Sequence, residues 1–286
     1  MKISVVMSAY NAEKSIRKAV KSVMDSETAH ELELIVVEDC STDGTKDVLG
    51  GLLADYGFTV IEHGRNMGAG QSRRDGIEAA TGDYVITIDS DDWIAPDFLD
   101  KLAGKALETE ADIVSGGVTI VYEDGYKEVK CFPEMVSEGM KKFGDYNKGK
   151  IIFLNNKLVR RSMYERVPYC TRRYCEDTPV IMQLLYFANM VVYADTQGYY
   201  YLQHDTSLCH SVSSFEDCLY KALCAKECIE FFADKEPEYK RIIGIDQFFS
   251  YIDKIKATMP IDGCPKNLIN EFSNIMTFFL KNINIQ

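Results

Sequence analysis

The pattern of apolar residues predicts an α/β fold, a mostly parallel sheet with flanking helices, followed by a helical C-terminal extension. Three observations predict it. Short apolar runs alternate with segments of helical period through about residue 115, which implies parallel strands joined by right-handed crossovers. The segments that close three of those runs are polar, and two of them are acidic. Beyond about residue 213 only helical spacing remains.

In chain order, residues 3–7 are an apolar run closed by Ser8-Ala9-Tyr10-Asn11, and Ile16, Ala19, Val20, Val23 and Met24 follow at helical spacing. Residues 32–37 form the second strand, closed by Glu38-Asp39-Cys40-Ser41, and Ser41-Thr42-Asp43-Gly44 offers helix-capping chemistry. Val48, Leu49, Leu52 and Leu53 mark the next buried helix face. Residues 58–61 make a short strand, 70–80 a helix and 84–88 a fourth strand. Pro96 suits the first turn of the next helix, with Leu99, Leu102, Ala103, Ala106 and Leu107 on its buried side.

The pattern then changes. Residues 118–122 and 126–131 read as a hairpin across Glu123-Asp124-Gly125, and 151–154 as a strand. Glu176-Asp177 opens a helix reaching about Phe187, and 191–193 and 199–201 are further strands. Three helical stripes close the chain, from Phe215 to Phe232, Ile242 to Ile255 and Leu268 to Phe279. The expected division is an α/β domain over residues 1–212 and a helical extension over 213–286.

Bulk properties narrow the function. The 286 residues carry 44 acidic against 32 basic side chains, a net charge of −12, which argues against non-specific nucleic-acid binding. Nine cysteines form no regular framework, and the N-terminus has no long apolar segment of the signal-peptide kind; reduced thiols in a cytoplasmic protein are expected. No run is long enough to span a bilayer.

The sharpest chemical signal is Asp89-Ser90-Asp91-Asp92, at the mouth of the fourth strand. Three carboxylates within four residues repel one another unless a cation compensates them. An all-oxygen donor set suits a hard ion such as Mg²⁺ or Mn²⁺. An acidic turn capping the following helix is the plainer reading of the same residues.

Five motifs in order resemble family 2 glycosyltransferases, which have the Rossmann-like GT-A fold. They are residues 3–11, residues 37–45, Asn66-Met67-Gly68 with Arg73 and Gly76-Ile77, residues 82–92 with Pro96, and Glu176-Asp177. The resemblance spans roughly residues 1–212 and implies inverting, metal-dependent transfer of a hexosyl or N-acetylhexosaminyl group. The donor is a nucleotide diphosphate sugar, usually a UDP-sugar. The acceptor is a hydroxyl of a saccharide or lipid-linked saccharide, in surface polysaccharide or glycolipid synthesis. Cys40 stands where the family usually carries Gly, and Arg74 where Asn is common.

By this resemblance Asp177 is the general base, Asp91 the metal ligand, and Asp89 lies near the ribose or metal. Ser8, Tyr10, Asp39, Arg73, Asp89 and Ser90 form the nucleotide site, and Asn11, Glu38, Asp92 and Glu176 support it. The residue types suit these roles: Tyr10 can stack on a base, Asp39 can accept the ring N–H of uracil, and Arg73 can pair with the diphosphate. Each also has a structural reading, Tyr10 as a strand-end aromatic, Asp39 and Asp177 as helix caps and Arg73 as a solvated helix residue.

The QxxRW motif of processive synthases is absent, which favours addition of a single sugar. Cys218, Cys224 and Cys228 with His204 and His210 fit no common zinc spacing and read as buried thiols and loop histidines. The last stripe reads as a helix packed on the catalytic domain, with a peripheral membrane contact or a homodimer as alternatives. A non-catalytic nucleotide-sugar-binding protein of the same fold is the second functional reading.

Overall fold

The computed structural model describes residues 1–130, 136–138, 141, 154–167, 177–203, 215–232, 234–235 and 266–282. Over the first third, β1 (Lys2–Ala9), α1 (Ile16–Met24), β2 (Glu31–Glu38), α2 (Thr45–Tyr56), β3 (Thr59–Glu62), α3 (Ala69–Ala79) and β4 (Tyr84–Asp89) alternate. The strands lie in the order β3-β2-β1-β4, all parallel. The order reverses between β1 and β4, so their carboxyl ends flank the switch-point crevice where such sheets bind ligands.

The two-residue period of a strand distributes the core. Ile3, Val5 and Met7 share one face with Val36 and Ile86 and pack under Ile16, Val20 and Leu52. Val6, Ile35 and Val85 point the other way, against Ile77 of α3. A side chain on Gly76 would collide with Val6, so glycine sets how closely α3 lies on β1.

The chain continues through β5 (Trp93–Ile94), α4 (Phe98–Thr109), β6 (Ile113–Ser115), β7 (Val118–Tyr122), β8 (Lys127–Lys130) and β9 (Val136–Glu138). β10 (Lys157–Arg160), α5 (Arg161–Tyr164), α6 (Asp177–Phe187), β11 (Met190–Tyr193) and β12 (Tyr199–Gln203) follow. The main sheet extends from β4 as β10-β6-β11-β9, with β10 antiparallel to both β4 and β6. A second sheet, β5-β12-β7-β8, stands beside it and contains the expected hairpin.

α7 (Phe215–Phe231) and α8 (Lys266–Asn282) account for two of the three closing stripes; residues 242–255 lie outside the described ones. Cys228 and Phe232 bring α7 onto Val180 and Leu184 of α6. Among the described residues, Ile275 and Phe272 of α8 pack against Leu219 and Ala222 of α7.

Other expectations need correction. Leu53 and Leu107 are exposed, because one helix face is narrower than the apolar spacing suggested. Pro96 precedes α4 by two residues, and Asp97 is its N-cap. The strand assigned to 151–154 lies outside the described residues except for buried Leu154. The strand of this region is β10, which had no assignment. Cys224 and Cys228 are buried thiols; His204 and His210 lie outside the described residues.

Candidate active site

Parallel register brings the strand ends level: Ser8 pairs with Val37 and Asp89, and Ala9 with Glu38. With strands about 4.8 Å apart, the ends of β2 and β4 lie on the order of 10 Å from each other across β1. Two tight turns follow, and Asn11 (φ 50°) and Cys40 (φ 59°) both adopt the left-handed region. That conformation favours glycine, which explains why the position of Cys40 attracts it.

Hydrogen bonds fasten these turns. Asn11 Oδ1 accepts the N–H of Thr42 at 2.8 Å. Buried Glu38 accepts the N–H groups of Ser41 (2.6 Å) and Cys40 (3.2 Å) and pairs with Lys46 at 3.2 Å. Burial alone would raise the Glu38 carboxyl, but the bonds from Ser41 and the charge of Lys46 hold it below the usual carboxylate range. Tyr10 stands at the rim, 42% exposed.

Asp39 is 2% exposed. Its Oδ1 accepts the N–H of Met67 and its Oδ2 that of Gly68, both at 2.7 Å, at the entrance to α3. His63 closes the arrangement, with Nδ1 2.7 Å from Asp39 Oδ1 and Nε2 2.9 Å from Asp75 Oδ2. Two carboxylates bracket one imidazole, and each contact requires a shared proton. The sequence reading had passed over His63. Its place directly after the apolar run of β3, at the same end of the sheet, was the available signal.

At the end of β4, Asp89, Asp91 and Asp92 can each offer an oxygen within 4.8 Å of the others. Arg73, 5% exposed, donates through Nη2 to Asp89 Oδ1 (2.6 Å) and through Nη1 to Asp177 Oδ1 (2.9 Å). One guanidinium therefore joins the acidic turn to the first residue of α6. Asn155 Nδ2 donates to Asp89 Oδ2 at 2.5 Å, and its own Oδ1 accepts the hydroxyl of Thr87.

Asp92 is 1% exposed. It accepts the Tyr199 hydroxyl at 2.5 Å and the N–H of Leu202 at 2.9 Å. Burial, then the charges of Asp89 and Asp91, push its carboxyl well above the usual range. With Asp92 turned inward, Asp89 and Asp91 are the carboxylates of the turn that stay partly exposed. The all-oxygen set fits a hard divalent cation. Ser90 sits between them, half-buried.

The Asp177 side chain is 37% exposed. Desolvation raises its carboxyl, Arg73 pulls it back, Asp89 adds to the rise and Lys157 opposes it, leaving it above the ordinary value. Lys157 is buried, donates to Asn156 Oδ1 at 2.7 Å and is lowered to about 7 by burial. Asn155 and Lys157 had no assigned role, because no motif spacing singles them out. Glu176 lies outside the described residues.

Open α/β sheets bind their ligands in the crevice at the switch point, and here carboxylates line that crevice. The Glycosyl transferase family 2 model matches residues 4–167, and the chain belongs to that family. Bacillus subtilis EpsH, named as a glycosyltransferase, is 34% identical over 217 residues, which is 72% of this chain and 62% of EpsH. The poly(ribitol-phosphate) beta-glucosyltransferase of Bacillus spizizenii is 29% identical over 71% of this chain and 32% of its own. The match thus spans less than two thirds of either relative. Staphylococcus aureus TarS 1–349 in complex with UDP-GlcNAc superposes with a TM-score of 0.71 at 22% identity, over 97% of this chain and 81% of that one. The shared architecture is the GT-A fold.

Proposed function

We propose that this protein moves a single sugar from a nucleotide diphosphate donor, a UDP-sugar, to an acceptor hydroxyl with inversion, on the cytoplasmic side, in surface polysaccharide or glycolipid assembly. The observation that carries the reading is the Arg73 bridge. It couples Asp89, from the turn that would hold a metal, to Asp177, the candidate base. The names of the relatives, and the UDP-GlcNAc bound by TarS, support the donor class and the pathway.

In this mechanism Tyr10 stacks on the base, Asp39 accepts its ring N–H, and Ser8 and Ser90 contact the nucleotide. Asp91, with Asp89, would hold Mg²⁺ or Mn²⁺, which when bound supplies positive charge against the leaving diphosphate. Asp177 takes the proton as the acceptor oxygen bonds to the anomeric carbon and the bond from that carbon to the diphosphate oxygen breaks. A carboxylate lifted above its ordinary value is a stronger base, and Arg73 keeps it ionised and aimed. We assign Arg73 to holding these two acids, because both of its terminal nitrogens face them.

The test is turnover of UDP-sugars with Mn²⁺, followed by UDP release and product mass. Asp177→Asn is expected to lower kcat by about 10³-fold while UDP affinity, measured by calorimetry, stays within about twofold. Unchanged turnover would remove Asp177 from the base role. UDP binding without turnover over a broad acceptor panel would favour a nucleotide-sugar-binding protein of the same fold.

A further inference from the structure

A second concave region begins one residue past the acidic turn. Arg17, Lys18 and Lys21 lie on α1 and Lys14 in the turn just before it, and with Asp25, Trp93 and Pro96 they line a cavity of about 550 Å³. In a chain of net charge −12 this is a marked local reversal. Lys21 is partly answered by Asp25 at 3.7 Å and by the Tyr56 hydroxyl at 3.2 Å. Lys14, Arg17 and Lys18 make no ion pair among the described residues. The Lys18 ammonium sits 2.8 Å from the centre of the Trp93 ring, which is stacked on Tyr200 at 5.4 Å. Burial, then repulsion from Lys127 on β8, lowers the Lys18 ammonium below its ordinary value. Lys127 thus adds positive charge beside Lys18, against which the groove sets one lining carboxylate among the described residues, Asp25, and a bound anion would offset the remaining repulsion.

We infer that this groove holds a phosphate-bearing stretch of the acceptor chain, running along α1 while a hydroxyl of the same chain lies at the carboxylates. The inference rests on the transferase reading and narrows its acceptor to a polyanion. Charge complementarity selects the occupant. The three cations of α1 cover about 6 Å of helix and Lys14 extends the row into the preceding turn, enough to meet successive charges of an extended chain. Arg17 and the ammoniums suit phosphate oxygens. A membrane surface suits it less, because interfacial helices insert protruding apolar side chains, whereas Ile94 is buried and Trp93 is stacked beneath Lys18.

Trp93 is the only tryptophan in the chain, so emission under tryptophan-selective excitation, which leaves the 17 tyrosines dark, reports on this groove. The full chain is titrated with inorganic polyphosphate at low salt. A saturable emission change is expected, weakened at least about tenfold by Lys14→Glu/Arg17→Glu/Lys18→Glu and by raising salt from about 50 to 200 mM. UDP affinity of the triple variant, by calorimetry, should stay within about twofold, which also shows that it folds. Absence of an emission change, or a change that survives the triple substitution, overturns the proposal. So does a response to polygalacturonate or phosphatidylglycerol vesicles with none to polyphosphate. Wild-type protein that binds polyphosphate but not UDP overturns the transferase reading and the acceptor role together; protein that binds UDP but not polyphosphate overturns the groove alone.

Discussion

The acids at the end of β2 and those at the end of β4 and the start of α6 are held by different means. Glu38 and Asp39 are buried and fastened chiefly by main-chain N–H groups from Ser41, Met67 and Gly68. Asp89 and Asp177 are partly open and are held by a side chain, Arg73, with Asn155 assisting Asp89. Main-chain donors cannot leave without unfolding a turn, so the first pair is fixed in position. A side-chain cation can redistribute when substrate charge enters. The difference suits a rim that recognises one base and a centre where charge must move.

The largest effect should come from breaking the side-chain mode. Arg73→Met is expected to lower kcat/KM by about 10²-fold and to move the acidic limb of the pH profile upward. The sign follows from the role: a base works only when ionised, and without the Arg73 charge the Asp177 carboxyl titrates higher. A pH–rate series on both proteins checks this, and an unmoved limb would break the assignment. Next, His63→Gln removes the ring between Asp39 and Asp75 and should weaken UDP about tenfold, about 1.4 kcal/mol. CDP, whose ring offers no N–H at that position, should lose less, so the UDP-to-CDP affinity ratio by calorimetry falls.

Two smaller changes probe the scaffold beneath the fixed rim. Gly76→Ala forces α3 away from Val6 and should cost about 1–3 kcal/mol in urea denaturation. Cys40→Gly relieves a left-handed non-glycine residue at φ 59°. The relief of about 1 kcal/mol is partly offset by unfolded-state entropy, so a gain under about 1 kcal/mol is expected.

Much of this comparison was legible in the sequence, and unevenly so. The first four strands were readable because each is a buried parallel strand, hence a continuous apolar run, with a polar closure that marks its carboxyl end. Asp89, Asp91 and Asp177 drew notice through motif order. β10 was missed because Lys157 and Arg160 break its apolar pattern, although Lys157 is buried. His63 and Asn155 escaped because their roles come from partners 24 and 66 residues away, which no local period encodes. The apolar stripe of α8 told that a face is covered and not by what, and Leu219 and Ala222 of α7 are part of that cover.

The bond from Tyr199 to Asp92 spans 107 residues, and it carries a consequence for biosynthesis. A ribosome-tethered fragment ending before residue 199 could already assemble β1 to β4, yet the Asp92 carboxyl would still lack both the phenol and the Leu202 amide that hold it inward. The acidic turn would then form late in translation, about a hundred residues after its own codons were read, so a nascent chain would stay inactive until β12 had left the exit tunnel.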